Sequence, residues 1–171
     1  VTAITIMFDK HIQMGQIYRP LKNKAFDKIF LKIRGRFGSL SIAKDETLRK
    51  IVKLRSEGKQ TVIGFMADQT PSPQNIHYWT DFLNQRTPVF TGVERIAKQT
   101  GFFVVYLDMI KVARGKYECN CIPISDEPKS ESDFVITEKY IREFEKTVLR
   151  NPAYWLWSHK RWKYQWLETR S

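Results

Sequence analysis

Histidine and cysteine are scarce in this 171-residue chain, with three of the first and two of the second. The scarcity lets metal and nucleophile chemistry be checked residue by residue. Cys119 and Cys121 stand two apart, so on a strand they project to the same face. A metal site takes about four ligands, and no further His or Cys lies near them in sequence. No metal centre is expected, and the pair reads as buried free thiols of a reducing compartment. No apolar run approaches the ~20 residues that span a bilayer, and no secretory signal pattern opens the chain. A nucleophile elbow of the G-x-S-x-G kind is missing, as is a phosphate-cradling G-x-x-x-x-G-K-[ST] loop. "RGRFG" has two glycines but ends a predicted helix and matches no dinucleotide fingerprint.

Acidic residues are also few: 18 Asp and Glu stand against 29 Lys and Arg, a net charge of +11. Such a surplus favours an anionic partner, whether nucleic acid, acidic lipid or an acidic carrier protein, or else serves solubility. Apolar residues at 42% and aromatics at 13% exclude a disordered chain. The length suits one domain, 1–171, with a sizeable core.

Helix and strand signals alternate through the first two thirds of the chain, which predicts an α/β fold with a largely parallel or mixed central sheet flanked by helices. Residues 1–10 fit either a helix end or a buried strand. "GQIYRPL" reads as a short strand stopped by Pro20. Asn23 caps a helix to about Phe37, with Phe26, Ile29, Phe30 and Ile33 on one stripe, and Gly38 ends it. Asp45 is expected to cap a second helix with Leu48, Ile51, Val52 and Leu54 facing inward and Gly58 as its stop. "TVIGFMA" suits a strand buried on both faces. The long polar stretch from Asp68 to Pro88 reads as a loop, and loops of that length usually carry function. A helix over 92–100 stopped by Gly101, a hairpin around "ARGK" and a helix near 137–150 with Tyr140, Ile141, Phe144 and Val148 on one stripe complete the series.

None of the three histidines forms a convincing general-base pair. His77 and Asp81 would share a face if helical, but read as a surface pair in a polar loop. Arg34 and Arg36 lie at a helix C-terminus, where the dipole favours cations; either would also fork onto phosphate or carboxylate. Asp68 and Gln69 follow an apolar strand, where open α/β sheets bind ligands, although a capping role fits as well. The closing stretch "WLWSHKRWKYQW" holds four of the five tryptophans among Lys160, Arg161 and Lys163. Trp155 and Trp157 are expected to close the core. Trp162 and Trp166, four apart, are expected to share a face with those three bases at a lipid headgroup boundary.

Four segments together resemble one family: "GQIYRPLKNKAFDKIFLKIRGRFG", "GFMADQTPS", "FTGVERIAKQTGFFVVYLDMIK" and "NPAYWLWSHKRWK". In order, they are similar to the bacterial lipid A biosynthesis acyltransferases of lipopolysaccharide synthesis, the lauroyl and myristoyl transferases. The resemblance implies a glycerolipid acyltransferase-like fold at the cytoplasmic face of the inner membrane. It implies transfer of a fatty acyl group from acyl carrier protein, or acyl-CoA, to a hydroxyl of a lipid A precursor, with no cofactor. It also implies a dyad, histidine with an acid five residues on, as base and orienting group. No such spacing occurs here: His11 reaches Gln16, His77 reaches Phe82 and His159 reaches Tyr164. The dyad and the hydrophobic anchor helix are therefore expected upstream of Val1, leaving an inactive piece, roughly the C-terminal two thirds of the enzyme. By the same matching, Arg34, with Arg36 or Arg19, neutralises a phosphate of the sugar lipid or of the carrier's phosphopantetheine. Asp68 and Gln69 hold the acceptor or order the cleft. The alternatives are an acyltransferase for another glycolipid or glycerophospholipid, and a non-catalytic basic module for membrane or nucleic acid. No nucleic-acid motif is present, so nucleic acid is not an expected partner.

Overall fold

The computed structural model describes residues 11–170, with side chains described to Leu167. The first ten residues lie outside that range, and with them the expected helix end or strand. The chain divides into two units, residues 1–66 and 67–171.

In the first unit three parallel strands line up in the order β2–β1–β3: β1 (Gln13–Tyr18), β2 (Leu40–Ala43) and β3 (Thr61–Gly64). Gly15, on the central strand, pairs with Leu40 and with Ile63. A Cβ there would come within 2.7 Å of the Ile63 side chain and 3.0 Å of Ile42, so glycine makes room for both neighbours. Helix α1 (Lys24–Gly35) starts as expected, because the Asn23 carboxamide accepts from the N–H groups of Ala25 and Phe26. Asp45 does not cap the second helix. It lies in a 3₁₀ turn over Lys44–Glu46, after which α2 (Thr47–Ser56) begins with no side-chain cap at all. Thr47 instead donates its hydroxyl to the Lys44 carbonyl at 2.8 Å. Of the four expected inward residues, Ile51 and Leu54 are buried while Leu48 and Val52 are exposed. The apolar spacing in α2 is wider than the strip the sheet covers. Among the described strands β3 lies at the edge of the sheet, and it is only half buried rather than covered on both faces.

The second unit hides a hairpin inside the stretch read as a polar loop: β4 (Trp79–Phe82) pairs antiparallel with β5 (Gln85–Pro88). Its turn residues, Leu83 and Asn84, have φ of 53° and 58°, the left-handed pair that a two-residue hairpin demands. Asn is at ease there; Leu is not, and its N–H donates to Glu145 at 2.5 Å while the side chain joins the core. Helix α3 (Gly92–Thr100) ends on Gly101 in the left-handed region. Strands β6 (Val104–Ala113) and β7 (Lys116–Ser125) form the expected hairpin. Cys119 is half-buried and Cys121 exposed on β7, both free, so the thiols are less buried than expected. Helix α4 (Val135–Arg150) lays Ile141, Phe144 and Val148 against Phe82 and Val89, with the rings of Phe82 and Phe144 stacked 5.1 Å apart. The fold is thus α/β: the described residues form one three-stranded parallel sheet in the first unit and two separate two-stranded ribbons in the second.

The start of α4 depends on a residue forty positions upstream. Phe134 sits at φ 67° with no side-chain cap, a conformation that costs a non-glycine residue about 1–3 kcal/mol. Glu94, 4% exposed on α3, supplies the missing acceptors. Its carboxylate takes the N–H of Phe134 at 2.5 Å, the N–H of Thr137 at 2.8 Å and the Thr137 hydroxyl at 2.6 Å. A negative charge at a helix N-terminus is also favoured by the dipole. Glu94→Ala leaves buried N–H groups unpaired and is expected to lower unfolding stability by about 3 kcal/mol; Glu94→Gln keeps an acceptor and loses less. Denaturant titration of the three proteins measures both effects.

Candidate functional site

Strand β3 ends at Gly64, and the chain runs through Ala67 into Asp68, Gln69, Thr70 and Pro71. Ala67, Thr70 and Pro71 are buried, Asp68 is half-buried and Gln69 exposed. This short segment is fixed by the C-terminal "SHKRW" stretch. The Thr70 N–H donates to Nε2 of His159 at 3.1 Å. The Thr70 hydroxyl donates to the Arg161 carbonyl in a short bond, and Nη1 of Arg161 lies 3.3 Å from the same hydroxyl. That Nη1 also donates to the Pro88 carbonyl at 2.8 Å. The clasp extends along β5, where the Trp162 indole N–H donates to the Thr87 hydroxyl at 2.7 Å and Gln165 donates to the Arg86 carbonyl at 3.2 Å.

Arg161 is 1% exposed, with its guanidinium 5.9 Å from the Phe82 ring centroid. Burial pulls its pKa down to about 10, opposed by the nearby Tyr140 and Asp68, so it remains a cation at neutral pH. Among the described residues its Nε and Nη2 have no hydrogen-bond partner. Burial likewise drives the Tyr140 hydroxyl well above its usual range, and the Asp68 charge adds to it. Asp68 therefore acts electrostatically on His159, Arg161 and Tyr140 together. No hydrogen bond engages its carboxylate among the described residues, and a half-buried acid on a clamped segment is well placed to accept one from a ligand.

The structure divides the residues expected at a lipid-facing surface. Lys160 and Lys163 are exposed, as is Trp166. Arg161 is buried, and Trp162 turns its indole to Thr87 and packs on the core cluster. Those two belong to the packing of the second unit, because each finds its polar partners on the 67–71 segment or β5. Trp155 closes the core edge-on to Phe82 and Phe144 at 5.6 and 5.9 Å. Trp157 leans on Trp155 but stays half exposed.

Arg19, Arg34 and Arg36 lie in the first unit. Arg34 is sandwiched between the rings of Tyr18 and Phe30, 5.2 and 5.6 Å from their centroids. Among the described residues its buried Nη1 has no hydrogen-bond partner, so that part of its fork is unused. The Arg36 guanidinium lies 5.5 Å from the Phe37 ring centroid, and Arg19 is exposed just past β1. His77 is exposed in a loop and Asp81 exposed on β4, so the helical pairing of those two does not occur. No group of three or more metal-ligating side chains is present among the described residues. Thr70 and His159, 89 positions apart, were invisible as partners in the sequence; the only local sign was a histidine beside a buried-type aromatic run.

Because Nε2 of His159 accepts from Thr70, the ring must be neutral with its proton on Nδ1. Burial, aided by Lys163 and Arg161, holds its pKa below the ordinary 6.5. The sign follows: the unfolded chain binds the proton more readily, so this contact contributes fully above pH 6.5 and fades as pH falls toward the lowered folded value. His159→Ala is expected to cost about 1 kcal/mol at pH 8 and less at pH 5. Urea unfolding at both pH values, read by tryptophan fluorescence, tests this; an equal difference at the two would refute the bond.

Comparison with curated proteins finds no match. The family described as bacterial lipid A biosynthesis acyltransferase matches residues 2–164. That match takes in the arginines of the first unit, the Asp68 segment and the His159–Arg161 clasp, and the chain belongs to the bacterial lipid A biosynthesis acyltransferase family.

Proposed function

We propose that this chain is the acceptor- and donor-binding part of an enzyme that moves a fatty acyl group from a carrier thioester to a hydroxyl of a lipid A precursor. The family match over residues 2–164 is the observation that carries this reading. The acyl donor is acyl carrier protein, whose acidity suits the net charge of +11; acyl-CoA offers the same phosphopantetheine thioester. No cofactor is required. In the reaction a histidine base removes the acceptor hydroxyl proton, the oxygen attacks the thioester carbonyl, and the C–S bond breaks. The departing thiolate takes the proton back from the imidazolium, leaving an ester and a free carrier thiol.

Two groups of this chain have roles in that sequence. Arg34, held between Tyr18 and Phe30 with Nη1 unused, pairs with a phosphate of the lipid or of phosphopantetheine, helped by Arg36 and Arg19. Asp68, its carboxylate unbonded on a clamped segment, accepts a hydrogen bond from the acceptor sugar while Gln69 beside it orders the cleft. The base itself is not one of the described histidines. His159 is occupied by Thr70, and neither His11 nor His77 has an acid five residues on. No His-x4-acid spacing occurs at any of the three histidines, so the 171-residue chain alone is expected not to transfer. The site works at the cytoplasmic face of the inner membrane.

The test is transfer from radiolabelled acyl carrier protein to a phosphorylated lipid A precursor, by the 171-residue chain and by the same chain extended upstream. Only the extended protein is expected to be active, and in it Asp68→Asn is expected to reduce kcat/KM about 100-fold, the cost of a lost charged hydrogen bond in the transition state. Turnover by the short chain would place the base within it. Activity of the extended chain on glycerophospholipid acceptors alone would favour the other acceptor class.

A further inference from the structure

Helix α1 shows solvent a face that soluble helices bury. Phe26, Ile29, Phe30, Ile33 and Phe37 follow three- and four-residue spacing, and they are 41–57% exposed. Leu21, just before the helix, adds to the patch at 37%. The shielded side of the helix carries Asp27, Leu31 and Arg34 instead. Its ties inward are polar ones: Asp27 accepts from the Leu21 N–H at 2.9 Å, and Gln16 of β1 donates to the Arg34 carbonyl at 3.1 Å.

Beside the apolar stripe runs a row of cations. Lys24, Lys28, Lys32 and Arg36 recur every fourth residue and are all exposed. The three lysines have no carboxylate partner among the described residues. The one acid of the helix, Asp27, is buried and does not offset them. An apolar stripe with a lysine row along one flank suits a helix lying in the boundary between headgroups and acyl chains. Its rings and branched chains enter the hydrocarbon while lysine stems reach back to anionic headgroups. An acidic protein would satisfy the lysines but leave five large apolar side chains wet, which favours lipid as the occupant.

We infer that α1, with Leu21 and Phe37 at its ends, is the surface by which this chain docks on an anionic lipid bilayer. This goes beyond the acyl-transfer reading, and binding to vesicles reads it without any turnover. The experiment is co-sedimentation of the 171-residue chain with phosphatidylethanolamine–phosphatidylglycerol vesicles and with pure phosphatidylcholine vesicles. Two triple variants are compared, Phe26→Ser/Ile29→Ser/Ile33→Ser and Lys24→Glu/Lys28→Glu/Lys32→Glu, alongside Lys160→Glu/Lys163→Glu. Each α1 triple is expected to weaken partitioning to the anionic vesicles about 100-fold, with little change for the C-terminal pair and weak binding of the parent to phosphatidylcholine.

Thermal unfolding of the serine triple separates a lipid face from one covered within the protein. An unchanged or raised Tm is expected, since apolar surface is being removed from water. A Tm lowered by several degrees would overturn the assignment, showing that the stripe is packed. So would vesicle binding that survives both α1 triples, or that is lost only with Lys160 and Lys163. Undisturbed vesicle binding by the serine triple together with weakened binding of acyl carrier protein would make the occupant an acidic protein and overturn it equally.

Discussion

A guanidinium without a bonded carboxylate, sealed at 1% exposure, is the constraint around which the second unit is assembled. Taking such a cation out of water costs several kcal/mol, so its surroundings must be met closely. Arg161 is held by the Pro88 carbonyl, the Thr70 hydroxyl and the face of Phe82, and by the field of Asp68. These partners come from β4, the end of β5 and the 67–71 segment, so satisfying one side chain fixes the mutual placement of three pieces of chain. His159 and Trp162, on either side of it, bond to those same pieces. Asp68 gains a defined position from this arrangement although, among the described residues, no hydrogen bond reaches its carboxylate.

Where the sequence could be read, the signals were local. Asn23 before α1, Gly101 after α3 and the turn at Gly115 act within four residues, and each does what its chemistry predicts. The α4 stripe was legible because Ile141, Phe144 and Val148 repeat at helical spacing on a helix long enough to average out noise. The supports that matter most for the site were not legible, because they join residues far apart. Glu94 caps a helix forty positions away, and His159 answers an N–H that is 89 positions distant. The β4–β5 hairpin escaped for a different reason: its left-handed turn is made by Leu-Asn, without the glycine that usually marks one, and is stabilised by Glu145 of α4. Asp68 and Arg34 stand out in the sequence by their position at element ends, but nothing local disclosed what surrounds them.

Helix α1 marks a limit of another kind. Periodicity reports which side chains share a face; it is silent on whether that face meets protein, lipid or water. In α2 the same ambiguity is mild, since Ile51 and Leu54 turn inward while Leu48 and Val52 at the edge of the strip remain outside. In α1 it is complete. The shielded side is built from a buried acid, a leucine and an arginine sandwiched between rings, while the phenylalanines and isoleucines point outward. Two of the shielded polar groups are engaged, the Asp27 carboxylate by the Leu21 N–H and the Arg34 carbonyl by Gln16. The exposed apolar area then has no claim on the fold, and its presence has to be explained by what the helix meets.

In the tryptophan-rich terminus the histidine is a support and not a base. A histidine among lysines, arginine and aromatics invites assignment as a general base, and three separate facts oppose it. The Nε2 lone pair a base would use is taken by the Thr70 N–H. The position five residues on is Tyr164, so the histidine lacks the acid of the dyad spacing. Burial and two neighbouring cations push the pKa down, making the ring a poorer proton acceptor than free histidine. Each property that disqualifies His159 as a base qualifies it as a support: a neutral ring with a fixed tautomer is a dependable acceptor for a buried backbone N–H. What the terminus supplies is therefore position, fixing Thr70 and with it the 67–71 segment.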